Sequence, residues 1–342
     1  MRAFITGVTG PELTEAERAF VREAQPWGLI VFKRNVAEPD ALRRLTGDFR
    51  TMLGWDAPVL IDQEGGRVQR MGPPSWPKYP PAAIYGVLYD RDPALGLAAA
   101  RLGARLIAAD LVDVGIDVDC MPLADVPVPG ADAVIGDRAF GTHSDKVAAL
   151  AGAFAQGLAD GGVLPVLKHI PGHGRATVDS HQKLPTVTAD KATLEATDFA
   201  AFRPLAGLPL AMTAHVVFTA IDAAAPATTS AAIVCDVIRG SIGYRGLLMS
   251  DDISMGALSG SLGERTCAAI SAGCDVILHC SGDMDEMLAV AATVPRLEGE
   301  AGRRAKAALA TKKPAVSIDL AAKRTEFYAI IGDVWDSARG SA

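Results

Sequence analysis

The chain has 342 residues, with 33 Lys+Arg against 40 Asp+Glu for a formal charge of −7, and is 49% hydrophobic but only 6% aromatic. A net negative balance lacks the electrostatic footprint of a nucleic-acid binder and offers no attraction to an anionic membrane surface. At about 150 residues per domain the length would suit two domains, yet an α/β barrel of roughly 250 residues plus insertions absorbs it as one.

The first residues, MRAFITGVTGPELTEAE, reach Gly, Pro and Glu before any apolar stretch long enough for a signal-peptide core. No window approaches the roughly 18 uninterrupted apolar residues of a membrane span. The five cysteines, Cys120, Cys235, Cys267, Cys274 and Cys280, are odd in number and form no CxxC pair. Reduced structural cysteines and a cytoplasmic location are the expectation.

Eight short apolar runs rich in Val, Ile and Leu read as strands. They are AFITGVTG from Ala3, GLIVFKRN from Gly28, PVLIDQEGG from Pro58, IDVDCMPLADV from Ile116, VLPVLKHIPGHG from Val163, LPLAMTAHVV from Leu208, YRGLLMSDDIS from Tyr244 and CDVILHCSG from Cys274. Helical periodicity lies between them: Val147, Leu150, Phe154 and Leu158 recur at three- and four-residue spacings, an apolar stripe suited to packing on a sheet. Alternation of this kind predicts parallel βα units. The polar residues Asp62, Asp125, Lys168, His169, His215, Asp251 and His279 all follow the apolar part of their run. Polar groups after so many strand ends favour the mouth of a (β/α)8 TIM barrel over the single crevice of an open sheet. A single catalytic domain over residues 1–342 is expected, with terminal helices after about residue 283 and a solvated basic run, RRAKAALATKK.

Three segments could carry chemistry. In KHIPGHG, from Lys168, the Pro and Gly residues oppose helix formation, so the His169/His173 spacing is not that of a helical zinc pair. Lys168 and His169 also fit a satisfied polar pair at a strand end. Downstream, Asp179 and His181 stand two apart; in an extended backbone they project to one side, where the carboxylate would fix the imidazole tautomer of a general acid/base. The bland alternative is a turn-forming Asp179 beside an exposed His181. In MSDDISM the adjacent Asp251 and Asp252 follow an apolar run; alternation points one of them into the mouth, and helix capping would explain either. In IDQEGGRVQR, Asp62, a Gly-Gly turn, Arg67 and Arg70 could hold a polyhydroxylated ligand or form an internal ion-pair network.

Together IDQEGGRVQRM, GDRAFG, KHIPGHG, DSHQKLP and SDDISMGA resemble, in order and separation, the bacterial β-N-acetylhexosaminidases of glycoside hydrolase family 3, from Ala3 to Gly282. The resemblance implies a TIM barrel that removes terminal N-acetylglucosamine from β-linked cell-wall fragments of the GlcNAc-1,6-anhydro-MurNAc type. It also implies Asp251 as nucleophile, His181 as acid/base, Asp179 as its orienting partner, and Asp62, Arg70, Arg138, Lys168 and His169 as sugar-binding residues. Glu64, Arg67, His173 and Asp252 are left as structural support, with His173 able to touch substrate. Some family relatives carry a second domain that supplies the acid/base; here it would come from the barrel's own loops. The chain departs from the family at RATV, between Gly174 and Asp179, and around Trp76-Pro77, which bears on aglycone preference. The enzyme would act as a monomer on a small carbohydrate, without cofactor, metal, nucleic acid or membrane. Two other readings compete. A metal-dependent hydrolase would use His169, His215, Lys168, Asp179 and Asp251 as ligands. A non-catalytic sugar-binding protein would tolerate loss of His181.

Overall fold

The computed structural model describes residues 1–340. Strand β1 (Arg2–Thr6), helix α1 (Glu15–Ala24), β2 (Pro26–Val31) and α2 (Pro39–Leu53) lead to β3 (Val59–Ile61), which runs into an antiparallel hairpin of β4 (Gln63–Gly65) and β5 (Val68–Gln69). Helices α3 (Ala82–Arg91) and α4 (Pro93–Asp113) precede β6 (Val118–Asp119), and α5 (Ser144–Asp160) precedes β7 (Leu164–Ile170). A short strand β8 (Thr186–Val187), α6 (Lys191–Ala196) and α7 (Asp198–Phe202) connect to β9 (Leu210–Thr213). Strand β10 (Val217–Phe218) pairs with β8, and a wide helix of π type, Ile233–Ser241, leads to β11 (Leu247–Asp252). Then come α8 (Leu262–Ala272), β12 (Val276–His279), α9 (Met284–Thr293), α10 (Gly299–Ala310) and α11 (Leu320–Gly340).

Strands β1, β12, β11, β9, β7, β6, β3 and β2 close in that order into a barrel in which every neighbouring pair is parallel. This is the (β/α)8 TIM barrel, and each of the eight apolar runs supplies one of its strands. The run from Ile116 is the least regular. Its regular ladder occupies only β6, yet contact with β7 continues beyond it: the Val166 and Lys168 N–H groups donate to the Met121 and Pro122 carbonyls at 2.8 and 3.0 Å, and an isolated bridge joins Leu123 to Lys168.

Alternate strand residues face two separate cores. Ile5, Ile30, Leu60, Val118, Leu164, Val166, Leu210, Met212, Leu247, Met249, Val276 and Leu278 fill the barrel interior, while Leu29, Val31, Val59, Ile61, Leu167, Ala211, Leu248 and Ile277 meet the surrounding helices. The predicted stripe on α5, Val147, Leu150, Phe154 and Leu158, is fully buried in the outer core. Local chemistry sets the helix ends. Thr14 and Glu17 form a reciprocal capping box on α1, as do Ser261 and Glu264 on α8, and Gly54 closes α2 at φ 74°.

Leu297, with Ala305 and Ala308 of α10, joins the interior core. The basic run is therefore not simply solvated: Arg304 donates to Asp275 at 2.9 Å, and Lys312 donates to Asp117 at 2.8 Å. Those two carboxylates are mostly buried and need cationic partners, which the run supplies. All five cysteines are free, with Cys120, Cys274 and Cys280 buried but Cys235 and Cys267 exposed.

Candidate active site

A cleft of about 640 Å³ opens among the loops that follow the strands. Strand periodicity decides which polar residues reach it. Asp62 continues the inward series after Leu60, Lys168 after Leu164 and Val166, and Asp251 after Leu247 and Met249. A register shift between Leu167 and Ile170 brings His169 to the same cleft, although strict alternation would turn it away from Lys168.

One wall is a buried ion-pair network. Lys168, only 2% exposed, donates to Asp62 at 2.9 Å and lies 2.6 Å from Glu64. Arg70 donates to the second oxygen of Asp62 at 3.0 Å, and Arg138 grips Glu64 with two bonds of 2.8 and 2.9 Å. Burial alone would push both carboxyls up. Lys168 and Arg70 nevertheless hold Asp62 well below the usual range, and Arg138 and Lys168 hold Glu64 at about 2. The Gly65-Gly66 turn, at φ 90° and 57°, folds the hairpin back, and the Gln63 side chain accepts from the N–H groups of Arg70 and Met71 to pin it. The ion-pair network of IDQEGGRVQR is internal, and Asp62 and Arg70 also line the cleft. Arg138 lines it as well, though three of its five N–H donors go to Glu64 and the Val134 carbonyl.

Beside this network, the buried Asp125 accepts from His169 Nδ1 at 2.7 Å and from the His173 N–H at 2.6 Å, and so holds the KHIPGH turn. Burial pushes Asp125 up, but the two histidines bring it below the ordinary carboxylate range. His173 is buried, and that burial, together with neighbouring His169, lowers it to about 4, so it is neutral near pH 7. Its Nε2 lies 3.0 Å from the Ser180 hydroxyl. Asp125 is the residue whose supporting role the sequence did not single out. Its place after the fourth apolar run was the available signal, but the partner it holds lies 44 positions away.

Asp251 lines the cleft at the end of β11. Burial raises its carboxyl, yet His215, His169 and the Asp252 N–H, which donates at 2.8 Å, more than offset this and keep it below the usual range. His215 works from behind: its Nε2 faces the Asp252 carbonyl at 2.9 Å and its Nδ1 meets the Thr228 hydroxyl at 2.7 Å. A carbonyl can only accept, so Nε2 carries the proton. Asp252 does not cap a helix, because the next one begins at Leu262 under Ser261. Its carboxylate instead accepts from the N–H groups of Ser254 and Cys280 at 3.1 and 3.2 Å.

Across the cleft, Asp179 Oδ1 lies 2.8 Å from His181 Nδ1 and accepts the His181 N–H at 2.9 Å. The pairing expected from an extended backbone is therefore made by a turn. Residues 180–182 curl so that Gln182 and Lys183 both donate to the Asp179 carbonyl, because an Asp side chain readily bonds the backbone two residues on. Asp179 both forms the turn and contacts the imidazole. Burial raises its carboxyl, and the His181 backbone and ring together outweigh that, leaving it lowered. The His181 side chain is 65% exposed at the rim.

Of the seven strand-end polar residues, Asp62, Lys168, His169 and Asp251 line the cleft, whereas Asp125, His215 and His279 do not. His279 is buried against Glu286 and Ser281. A metal centre built from His169, His215, Lys168, Asp179 and Asp251 does not assemble. Among the described residues no three His, Cys, Asp or Glu side chains come together as a metal site, and both ring nitrogens of His215 are engaged elsewhere.

Residues 5–309 match the sequence profile of the Glycosyl hydrolase family 3 N terminal domain. A β-hexosaminidase of Alkalilimnicola ehrlichii is 39% identical over 279 residues, 80% of this chain and 79% of that protein. A second, from Chromobacterium violaceum, is 37% identical over 308 residues, covering 86% of this chain and 85% of the relative. The crystal structure of NagZ from Neisseria gonorrhoeae in complex with N-trifluoroacetyl-D-glucosamine superimposes with a TM-score of 0.84 at 31% identity, covering 98% of this chain and 97% of that one. The chain belongs to glycosyl hydrolase family 3, in its β-N-acetylhexosaminidase branch, and is a glycoside hydrolase.

Proposed function

We propose that the protein is a retaining exo-β-N-acetylglucosaminidase that releases terminal GlcNAc from β-linked cell-wall fragments of the GlcNAc-1,6-anhydro-MurNAc type. The observation that carries this reading is one cleft holding both an ionised Asp251 and an Asp179–His181 pair. The Neisseria relative binds an N-acylated glucosamine, and the cleft volume lies in the range of small-molecule sites.

In the first step a carboxylate oxygen of Asp251 bonds the anomeric carbon as the glycosidic C–O bond breaks, and the departing oxygen takes a proton from His181. In the second, neutral His181 takes a proton from water, whose oxygen attacks the anomeric carbon; the ester bond breaks and the Asp251 carboxylate returns. Asp179, accepting from Nδ1–H, leaves Nε2 as the nitrogen that exchanges the proton. Asp62, Arg70, Arg138, Lys168 and His169 would bind sugar hydroxyls and the acetamido group. Residues 1–342 would form one catalytic domain, acting in the cytoplasm as a monomer without cofactor or metal. No described helix is long and apolar enough to cross a membrane.

The test is turnover of a chromogenic N-acetyl-β-D-glucosaminide against the matching β-glucoside, each with chelator and with phosphate. Cleavage of the first alone, unaffected by chelator and yielding free GlcNAc in phosphate buffer, is expected. Failure on both substrates would overturn the reading, and a sugar phosphate as product would replace hydrolysis by phosphorolysis.

A further inference from the structure

The segment from Thr177 to Leu184 carries the His181 imidazole and is exposed or half-exposed throughout, with one exception: Ser180 is 3% exposed. Ser180 is anchored on both sides. Its hydroxyl meets His173 Nε2 at 3.0 Å, and its carbonyl accepts from the Ala257 N–H at 3.2 Å. The next carbonyl, that of His181, accepts from the Gly256 N–H at 3.3 Å. Gly256 and Ala257 belong to the short loop leaving β11, five and six positions after Asp251. The turn bearing one reacting group is thus seated on the loop that leaves the other.

Gly256 is tightly placed. A Cβ there would lie 2.9 Å from the His181 carbonyl oxygen and 3.1 Å from that of Gln182, close enough that the turn would have to move. Its backbone is not in the left-handed region. A side chain at this position therefore tests steric contact with the turn and not backbone strain. On the other side, His173 is held by Asp125 through its own N–H, so the Ser180 anchor is tied to the barrel wall.

We propose that Gly256, Ser180 and His173 form a clasp that seats the His181 turn over Asp251, which makes them positioning residues for proton transfer. This rests on the assignment of His181 as acid/base and of Asp251 as nucleophile. A displaced turn leaves the nucleophile, the ion-pair wall and sugar binding in place, and weakens only the proton delivered to the departing oxygen. The loss then depends on how much help the leaving group needs.

The experiment compares kcat/KM on the phenyl and 2,4-dinitrophenyl N-acetyl-β-D-glucosaminides for the wild type and for the Gly256→Ala, Ser180→Ala and His181→Ala variants, with thermal unfolding of each. Gly256→Ala should lose about tenfold or more on the phenyl substrate, from a misplacement of the order that costs such factors, and less than about twofold on the dinitrophenyl one. Ser180→Ala should show the same split more weakly, because one anchor of three is lost. Unfolding midpoints should stay near the wild type. If His181→Ala shows the split and both clasp variants lose equally on the two substrates, or lose nothing, the clasp is overturned and the acid/base assignment stands. If His181→Ala itself shows no split, the assignment falls and the clasp with it.

Discussion

The two walls of the cleft are built on opposite principles. On the β3 and β7 side, Asp62, Glu64, Lys168, Arg70 and Arg138 are interlocked, and Glu64 and Lys168 are almost completely buried. On the other side, Asp179 and His181 sit on an exposed turn held by a few hydrogen bonds. Buried charges that satisfy one another cannot shift without large cost, so the first wall is rigid, which suits the sugar-holding role proposed for it. A proton donor has different needs. It must reach the departing oxygen, change protonation state twice per cycle and admit water, all of which an exposed loop allows. Asp251, at the end of a barrel strand, belongs with the rigid wall in origin and, in the proposed mechanism, with the loop in chemistry.

The largest effect is expected at Asp251. Asp251→Ala should lower kcat by about four orders of magnitude or more, the scale on which loss of a nucleophile acts, as measured with a nitrophenyl N-acetyl-β-D-glucosaminide. His181→Ala should cost about 10²- to 10⁴-fold on substrates with poor leaving groups and far less on activated ones.

The rigid wall should respond chiefly in stability. Lys168→Met strands Asp62 and Glu64 without their shared cation, and urea unfolding near pH 7 should show a loss of about 3–5 kcal/mol. The pH dependence has a definite sign. Glu64 titrates at about 2 in the folded chain against 4.5 ordinarily, so its contribution is complete above about pH 4.5 and fades as pH falls towards 2. In the variant the stranded carboxylates can protonate as the pH falls, so the gap from the wild type should narrow. A gap that stays constant with pH would contradict the ion-pair account. The smallest effect belongs to Asp179→Asn, which keeps the turn's shape but weakens the hold on the imidazolium. About a tenfold loss on poor leaving groups is expected, with thermal stability unchanged.

How much of this was legible in the sequence follows the same division. Every barrel strand announced itself, because Val, Ile and Leu runs bounded by Gly, Pro and polar residues have little else to form. The inward direction of Asp251 followed from period-two alternation only after Leu247 and Met249 had been placed inside the barrel. His169 escaped that rule, since the register shift in β7 is a property of its neighbours and not of its own run. The supports were the least visible. Asp125 beneath His169, His215 behind Asp252 and Ser180 against His173 join residues far apart or within irregular loops, where no periodicity reports who meets whom. The Asp179–His181 contact was expected for the wrong geometric reason: a turn, and not an extended strand, brings the two together.

In the proposed mechanism a rigidly held Asp251 forms the bond to sugar while a loop-borne His181 moves the proton. Intact-mass measurement of the His181→Ala variant during turnover of 2,4-dinitrophenyl N-acetyl-β-D-glucosaminide tests both halves at once. The activated leaving group needs no acid, whereas breakdown of the ester needs the missing base, so the glycosyl-enzyme should accumulate and peptide mapping should place the sugar on Asp251. Slow turnover with no adduct, or an adduct on any other residue, would contradict it.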